Sequence, residues 1–203
     1  MNNRDDNQHQ KKPVAIILAA GKGARFGGGK LMAKLPSGKR VIDRVVAKTI
    51  QEFDEYCCIV RKEDVELQQH LDRQQWRWVI ADHADEGMSQ SLICGIGVFP
   101  KATGWVFVLA DMPYVLSSTL ARLGETLRHN NDQPRIVIPR HQEKTGNPVG
   151  LSAHFKCELE KLKGDVGARS IVAQNQNSAV WIDVEDTGIF HDIDRPSDIK
   201  LSQ

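Results

Sequence analysis

The sequence predicts a single three-layer α/β domain, in which helices cover both faces of a mainly parallel sheet. Short apolar runs rich in β-branched residues alternate with segments of helical periodicity, and residues 13–203 contain no repeat and no linker-like composition. Strands that alternate with helices favour right-handed crossovers, which bury the sheet on both sides. A chain of 203 residues is long enough to form one sizeable core.

The strands and helices follow from these two periodicities. Apolar β-branched runs predict strands at Val14–Ala19, Tyr56–Val60, Trp76–Ile80, Trp105–Ala110, Arg135–Pro139 and Ala179–Val184, with an extra strand at Pro148–Ser152. Helical spacing predicts helices at Val41–Phe53, Glu63–Leu71, Met88–Val98, Ser117–Arg128, Ala153–Leu162 and Val166–Gln174. Ser117 is the expected N-cap of its helix, because a serine hydroxyl can accept a hydrogen bond from a free backbone amide.

Composition excludes several classes of protein. The formal net charge of +1 argues against a dedicated nucleic-acid or membrane-surface protein. No apolar run approaches the roughly 20 residues that span a bilayer. Residues 1–12 lack the apolar segment of a signal peptide and are interpreted as a disordered leader. The four cysteines have no Cys-x-x-Cys spacing, which favours a reducing cytoplasm over a disulfide framework or a zinc site.

A glycine-rich, basic segment directly follows the first predicted strand, where ligands of open parallel sheets bind. It does not match the phosphate loop GxxxxGK[ST], because Ala24 and Leu31 stand at required positions. It does not match the dinucleotide fingerprint GxGxxG, because Phe26 replaces its last glycine. Five glycines exceed the needs of a simple turn, so a loop around phosphates is favoured over a solvated turn.

Residues 18–30 do match the pattern LAAGxGxRFGxxK, and this segment resembles the N-terminal signature of the molybdenum cofactor cytidylyltransferases and MobA-like nucleoside-triphosphate transferases. The resemblance implies a nucleotide-diphospho-sugar transferase-like Rossmann-type fold and a loop that wraps a triphosphate. It also implies that Arg25 and Lys30 neutralise charge during catalysis. The implied nucleotide-binding residues in this segment are Leu18, Ala19, Ala20, Gly21, Gly23, Arg25 and Lys30.

A carboxylate ends the buried strand in the segment 105-WVFVLADMP-113. Asp111 alone is as consistent with a turn before Pro113 as with a cation site. The resembled family has LADMP in this position, where its aspartate holds Mg²⁺, and this favours Asp111 as the metal ligand. The C-terminal 192-DIDRPSDIK-200 resembles the family's DIDTPEDL. One of Asp192 and Asp194 is expected to complete the metal site, and the other to cap the closing helix.

Three further segments are similar to family motifs. The segment 85-DEGMSQSLICGI-96 resembles EGMxxSL and implies that Ser89 and Ser91 bind the base or ribose, although a helix cap explains each serine equally well. In 138-IPRHQEKTGNPVGLS-152, the acceptor-side Gly-His-Pro becomes Gly146-Asn147-Pro148. The segment 163-KGDVGARSIV-172 is similar to GDxGAR, and here Asp165 is expected to cap the next helix.

The implied activity is Mg²⁺-dependent transfer of a nucleoside monophosphate, most simply from CTP to a molybdopterin-type acceptor, with release of pyrophosphate. An acceptor phosphate is already anionic, so positioning and charge neutralisation suffice for catalysis. GTP or another phosphorylated acceptor remains an alternative within the enzymes, and a non-catalytic cofactor-binding accessory protein is an alternative from another class. The resemblance also implies a cytoplasmic protein that contacts a molybdoenzyme or its chaperone, without nucleic-acid or membrane partners.

Overall fold

The computed structural model describes residues 13–128 and 132–200, and the predicted leader at residues 1–12 lies outside them. One eight-stranded sheet crosses these described residues. Its strands are β1 (Val14–Leu18), β2 (Tyr56–Val60), β3 (Trp78–Ile80), β4 (Gly104–Leu109), β5 (Ile136–His141), β6 (Lys144–Thr145), β7 (Val149–Ser152) and β8 (Ala179–Asp183).

Helices pack on both faces of this sheet. They are α1 (Val41–Glu52), α2 (Val65–Arg73), α3 (Met88–Val98), α4 (Ser117–Arg128), α5 (Lys156–Leu159) and α6 (Arg169–Gln174). Among the described residues, no helix has the length and apolar character needed to cross a bilayer.

The sheet is mainly parallel, as predicted. Its strand order is β3-β2-β1-β4-β7-β5-β6, and β8 pairs with β5. Strands β1 to β4 are mutually parallel where they pair, and β5 pairs in parallel with β8. Only β7 and β6 run antiparallel to their neighbours in the described sheet. The carboxyl ends of β1 and β4 therefore meet at the same edge.

Two apolar clusters sandwich the sheet and confirm the three-layer architecture. In β1, Ile17 belongs to the cluster under α1, α2 and α4, whereas Ile16 belongs to the cluster under α3, α5 and α6. Both side chains are fully buried. A strand covered on both faces has no solvent side, and this explains why VAIIL is a continuous apolar run.

The structure departs from the predicted elements mainly after residue 140. The hairpin strand β6 was not predicted, and the predicted helix Ala153–Leu162 is a 3₁₀ turn followed by the short α5. Helix α6 begins at Arg169 rather than Val166, because the preceding residues bind the start of α3 instead. The prediction that Ser117 is an N-cap is wrong, because Ser117 is the first residue of α4. The N-cap is Leu116, whose carbonyl accepts hydrogen bonds from the amides of Thr119 and Leu120.

Candidate active site

The candidate site lies at the carboxyl edge shared by β1 and β4. Leu18 ends β1 in register with Leu109, which ends β4. The amide of Ala110 donates to the carbonyl of Leu18 at 3.2 Å, so the two strands stay paired up to their ends. The glycine loop, defined here as residues 20–30, therefore leaves the sheet beside Asp111, although 81 positions separate Lys30 at the end of the loop from Asp111.

Left-handed backbone folds the glycine loop back toward the sheet. Gly27, Gly28 and Gly29 have φ angles of 89°, 93° and 62°, and Gly23 has 57°. Residues with a Cβ rarely adopt this conformation, so three consecutive left-handed positions require glycine. The Gly23 carbonyl accepts from the amides of Phe26 and Gly28, which closes the loop on itself. The turn brings Lys30 back against the sheet edge.

Two basic residues of this loop pair with two carboxylates from later in the chain. Lys30 Nζ lies 2.5 Å from Asp111 Oδ2 and 3.6 Å from Asp194 Oδ1. Arg25 pairs directly with the other oxygen of Asp194. The Lys30 side chain is only 10% exposed, whereas that of Arg25 is 72% exposed. Lys30 is therefore held between two carboxylates, and Arg25 lies on the solvent-facing side of the same cluster.

Backbone hydrogen bonds hold the C-terminal carboxylates near Asp111. The amide of Ile193 donates to the Asp111 carbonyl at 2.8 Å. Asp198 Oδ2 accepts from the amides of Arg195 and Asp194 at 2.7 Å and 2.9 Å, and these donors lower the pKa of Asp198. Asp198 therefore caps the closing 3₁₀ turn, Pro196–Lys200, and the expectation that Asp192 or Asp194 would do so is wrong.

A cleft of about 750 Å³ opens over the glycine loop, and we call it the glycine-loop cleft. It is lined by most of the residues that the sequence predicted for nucleotide and metal, namely Leu18, Ala20, Gly21, Gly23, Arg25, Lys30, Ser91, Asp111, Asp192 and Asp194. Ala19 and Ser89 do not line it, because both are buried behind its wall. The cleft thus joins the glycine loop to three basic residues, Lys22, Arg25 and Lys30, and to six carboxylates, Asp85, Glu86, Asp111, Asp165, Asp192 and Asp194.

The start of α3 forms one wall of this cleft and is bound by residues 164 and 165. The amide of Ser89 donates to the Gly164 carbonyl at 3.2 Å, and the amide of Met88 donates to Asp165 Oδ1 at 3.3 Å. The expectation that Asp165 caps the helix after it is therefore wrong, because its carboxylate binds the N-terminus of α3. Gly87, with φ of 123°, permits the backbone of Gly164 to approach closely.

A second cleft, of about 910 Å³, adjoins the first, and we call it the Asn147 cleft. Asn147 lines it, whereas Pro148, joined to Asn147 by a cis peptide bond, is buried beneath. The Asn147 amide donates to the Ile189 carbonyl at 3.0 Å. The residues that line both clefts are Leu18, Met88, Leu109, Asp165 and Asp192.

Two basic residues of α1 support the loop after Asp111 and were missed in the sequence. Arg44 Nε and Lys48 Nζ donate to the Pro113 carbonyl at 3.1 Å and 3.0 Å, and Lys48 also binds the Val115 carbonyl. Burial, with a smaller contribution from Arg44, lowers the pKa of Lys48 to about 8. Their i, i+4 spacing places both on one face of the helix, which is the sequence signal that could have identified them.

The family follows from a match that covers most of the chain. Residues 15–179 match the model of the MobA-like NTP transferase domain. The chain belongs to the MobA-like NTP transferase family. It is therefore a nucleotidyltransferase, from a family that binds nucleoside triphosphates and phosphorylated acceptors. No curated relative matches the chain in sequence.

Solved structures share the fold of this MobA-like domain at low identity. Rv0371c from Mycobacterium tuberculosis H37Rv has a TM-score of 0.81 and 23% identity, covering 94% of this chain and 96% of its own. Its manganese complex has a TM-score of 0.77 and 22% identity, with coverage of 93% and 96%. Molybdopterin-guanine dinucleotide biosynthesis protein A from Archaeoglobus fulgidus has a TM-score of 0.66 and 22% identity, with coverage of 92% and 95%. The predicted nucleotide-diphospho-sugar transferase-like fold is confirmed.

Proposed function

We propose that this MobA-like protein transfers a nucleoside monophosphate from CTP to a molybdopterin-type phosphate in a Mg²⁺-dependent reaction that releases pyrophosphate. The observation that carries the proposal is the position of Lys30, whose ammonium contacts Asp111 and Asp194 in a cleft that adjoins a second cleft. A donor triphosphate in the glycine-loop cleft would lie beside Lys30, and an acceptor phosphate that reaches in from the Asn147 cleft would meet the same cation and the carboxylates that contact it.

The proposed chemistry needs no strong base. An anionic oxygen of the acceptor phosphate attacks the α-phosphorus, and the bond between this phosphorus and the pyrophosphate oxygen breaks. Lys30 and Arg25 bind phosphate oxygens and neutralise the charge that develops on the leaving pyrophosphate. The backbone around Gly21 and Gly23 lets the triphosphate approach closely, because no side chain stands in its way.

The carboxylates of this site suit a magnesium ion. The side chains of Asp111 and Asp194 are 21% and 33% exposed, so both carboxylates are accessible to a bound ion and to water. Among the described residues, no group of three or more His, Cys, Asp or Glu side chains is arranged to hold a metal. Magnesium favours one or two carboxylates completed by phosphate oxygens and water, so the smaller set fits it. When bound, the ion would neutralise phosphate charge, and Asp192 is the alternative to Asp194 as the second ligand. The manganese complex of the mycobacterial neighbour supports a divalent cation here.

The acceptor and the base are proposed from one structural neighbour and from the resemblance in residues 18–30. The archaeal neighbour's name refers to molybdopterin-guanine dinucleotide, which supports a molybdopterin-type acceptor and keeps GTP as the alternative donor. CTP is favoured by the resemblance to the cytidylyltransferases in residues 18–30. The same proposal implies a cytoplasmic reaction whose product passes to a molybdoenzyme or its chaperone.

The experiment measures pyrophosphate release with Mg²⁺, each of the four triphosphates and molybdopterin, beside the thermal stabilisation that each triphosphate gives. We expect CTP to stabilise the protein most and to support release, since ligands of the native state raise its melting temperature. Lys30→Gln should lower kcat by at least about 100-fold, and Lys62→Gln, at an exposed lysine outside the clefts, should not. Stabilisation by a triphosphate without release for any pair would favour the binding-module alternative.

A further inference from the structure

The Asn147 cleft has an apolar floor. Buried side chains from α3, from β4 and the loop after it, from β7 and from the segment before Asp192 line it, namely Leu92, Phe107, Met112, Val149 and Ile189. Such a floor lowers the free energy of a ligand that covers it with apolar or aromatic surface. The polar side chains of Thr145, Asn147 and Ser170 lie elsewhere in the lining of the same cleft. The floor therefore favours an acceptor with a flat, weakly hydrated body.

Two cations line this cleft away from its border with the glycine-loop cleft. Lys144 lies on β6 and Arg169 begins α6, and both side chains are exposed. Lys144 Nζ lies 4.6 Å from the centroid of the Phe190 ring, which also lines the cleft. Within the described residues, no carboxylate lies within ion-pairing distance of Lys144 or Arg169. The charge of both cations is therefore available to a ligand.

The border between the clefts has a different charge. Of the lining residues that the two clefts share in the described chain, Asp165 and Asp192 are acidic and none is basic. The reactive phosphate of the acceptor would meet Lys30 and Arg25, which line the glycine-loop cleft only. Lys144 and Arg169 are thus left for a different part of the acceptor.

We propose that Lys144 and Arg169 recognise a second anionic group of the acceptor, at a distance from its reactive phosphate, while the flat body of the acceptor covers the apolar floor. Lys144 and Arg169 are then specificity-determining residues, and Phe190 orients the Lys144 ammonium through its ring. The inference rests on the proposed nucleotidyl transfer for the location of the reactive phosphate. It defines the acceptor class as a planar heterocycle with two separate anionic groups.

The test uses pterin fragments that lack the reactive phosphate. Binding of 6-carboxypterin, a planar heterocycle with one carboxylate, is compared with binding of neutral 6-hydroxymethylpterin by pterin fluorescence, with a triphosphate and Mg²⁺ present. We expect the wild-type protein to bind the carboxylate at least about fivefold more tightly, because charge-assisted hydrogen bonds outweigh neutral ones. Lys144→Gln and Arg169→Gln should each reduce this preference. Lys101→Gln, at an exposed lysine that lines neither cleft, should preserve it.

The outcomes separate this inference from the proposed function. Equal affinity for both pterins, an unchanged preference in Lys144→Gln and Arg169→Gln, or displacement of the pterin by glucose 1-phosphate at similar concentration would overturn the inference. Absence of pterin binding in a protein that triphosphates still stabilise would also overturn it and leave nucleotidyl transfer intact. Absence of triphosphate binding and of pyrophosphate release would count against the proposed function, whatever the pterins do.

Discussion

The backbone amide of Ile193 donates a hydrogen bond to the carbonyl of Asp111 at 2.8 Å. This single bond joins the end of β4 to the C-terminal segment that carries Asp192 and Asp194. The bond fixes the backbone next to these carboxylates, and ion pairs with Lys30 and Arg25 hold the side chains of Asp111 and Asp194. The two acids on either side of Ile193 are nevertheless not equivalent, because Asp194 contacts Lys30 and Arg25 whereas Asp192 is exposed at the border of the clefts.

Substitution of each acid should expose this difference. We expect Asp111→Asn and Asp194→Asn to lower kcat by at least about 100-fold, since both contact the Lys30 ammonium, and Asp192→Asn to cost less than about tenfold. Initial rates of pyrophosphate release measured against Mg²⁺ concentration give the comparison. A larger loss from Asp192→Asn than from Asp194→Asn would show that Asp192 is the better candidate for a metal ligand.

Two glycines of the glycine-loop cleft should respond differently to alanine. A Cβ at Gly87 would lie 2.3 Å from the Gly164 carbonyl carbon and 2.6 Å from the Asp165 nitrogen, and its φ of 123° strains any other residue. Gly87→Ala should therefore lower the free energy of unfolding by about 2 kcal/mol or more. Gly21 has open space and no such φ, so Gly21→Ala should leave stability within about 0.5 kcal/mol and weaken triphosphate binding instead.

Urea unfolding and triphosphate titration of both variants test this pair. A Gly21→Ala protein that binds the triphosphate as tightly as the wild type would argue against close approach of phosphate to this backbone. A Gly87→Ala protein as stable as the wild type would mean that residues 164 and 165 can move away from the start of α3 with little loss of unfolding free energy.

Asp186 caps α4 from a distant part of the chain. Its buried carboxylate accepts from the Leu116 amide at 2.8 Å, the Thr119 hydroxyl at 2.6 Å and the Gly188 amide at 2.9 Å. We expect Asp186→Ala to lower the free energy of unfolding by about 3 kcal/mol, because it leaves buried donors unpaired. Thr119→Val removes one donor and should cost only about 1 kcal/mol. Similar urea midpoints for Asp186→Ala and the wild type would contradict the capping role.

The stability of the protein should depend on Lys48 above neutral pH. Burial lowers the pKa of folded Lys48 from 10.5 to about 8, so the folded state loses this proton before the unfolded state does. The unfavourable contribution of the buried charge is complete below pH 8 and disappears as pH rises toward 10.5. The wild type should therefore gain stability relative to Lys48→Gln between these two pH values.

Urea unfolding at pH 7, 8, 9 and 10 measures this difference, with Lys62→Gln as the exposed control. A difference between wild type and Lys48→Gln that stays constant over the series would show that the pKa of Lys48 is near its ordinary value. A difference that falls as pH rises would mean that the hydrogen bonds of the Lys48 ammonium in the folded state outweigh its burial and favour the charged form.

The first half of the fold was predictable because its signals are local. The apolar run before the glycine loop indicates a strand that is covered on both faces. The helical spacing of apolar residues in Val41–Glu52 indicates an amphipathic helix. The later elements were less predictable, because α5 and β6 are too short to show a period. The direction of β7 depends on its partners in the sheet, and its own residues do not encode that direction.

The sequence by itself determined the class of the site. Five glycines, Arg25 and Lys30 follow one predicted strand, and Asp111 follows another. The glycine segment fits neither of the two standard phosphate-loop patterns, but it does fit LAAGxGxRFGxxK. Only the tertiary structure decided which later groups join them. Asp194 rather than Asp192 contacts Lys30, Asp165 binds α3 rather than α6, and Lys144 faces Phe190. These choices depend on distances between residues far apart in the chain, which the sheet sets by pairing β1 with β4 and local periodicity does not record.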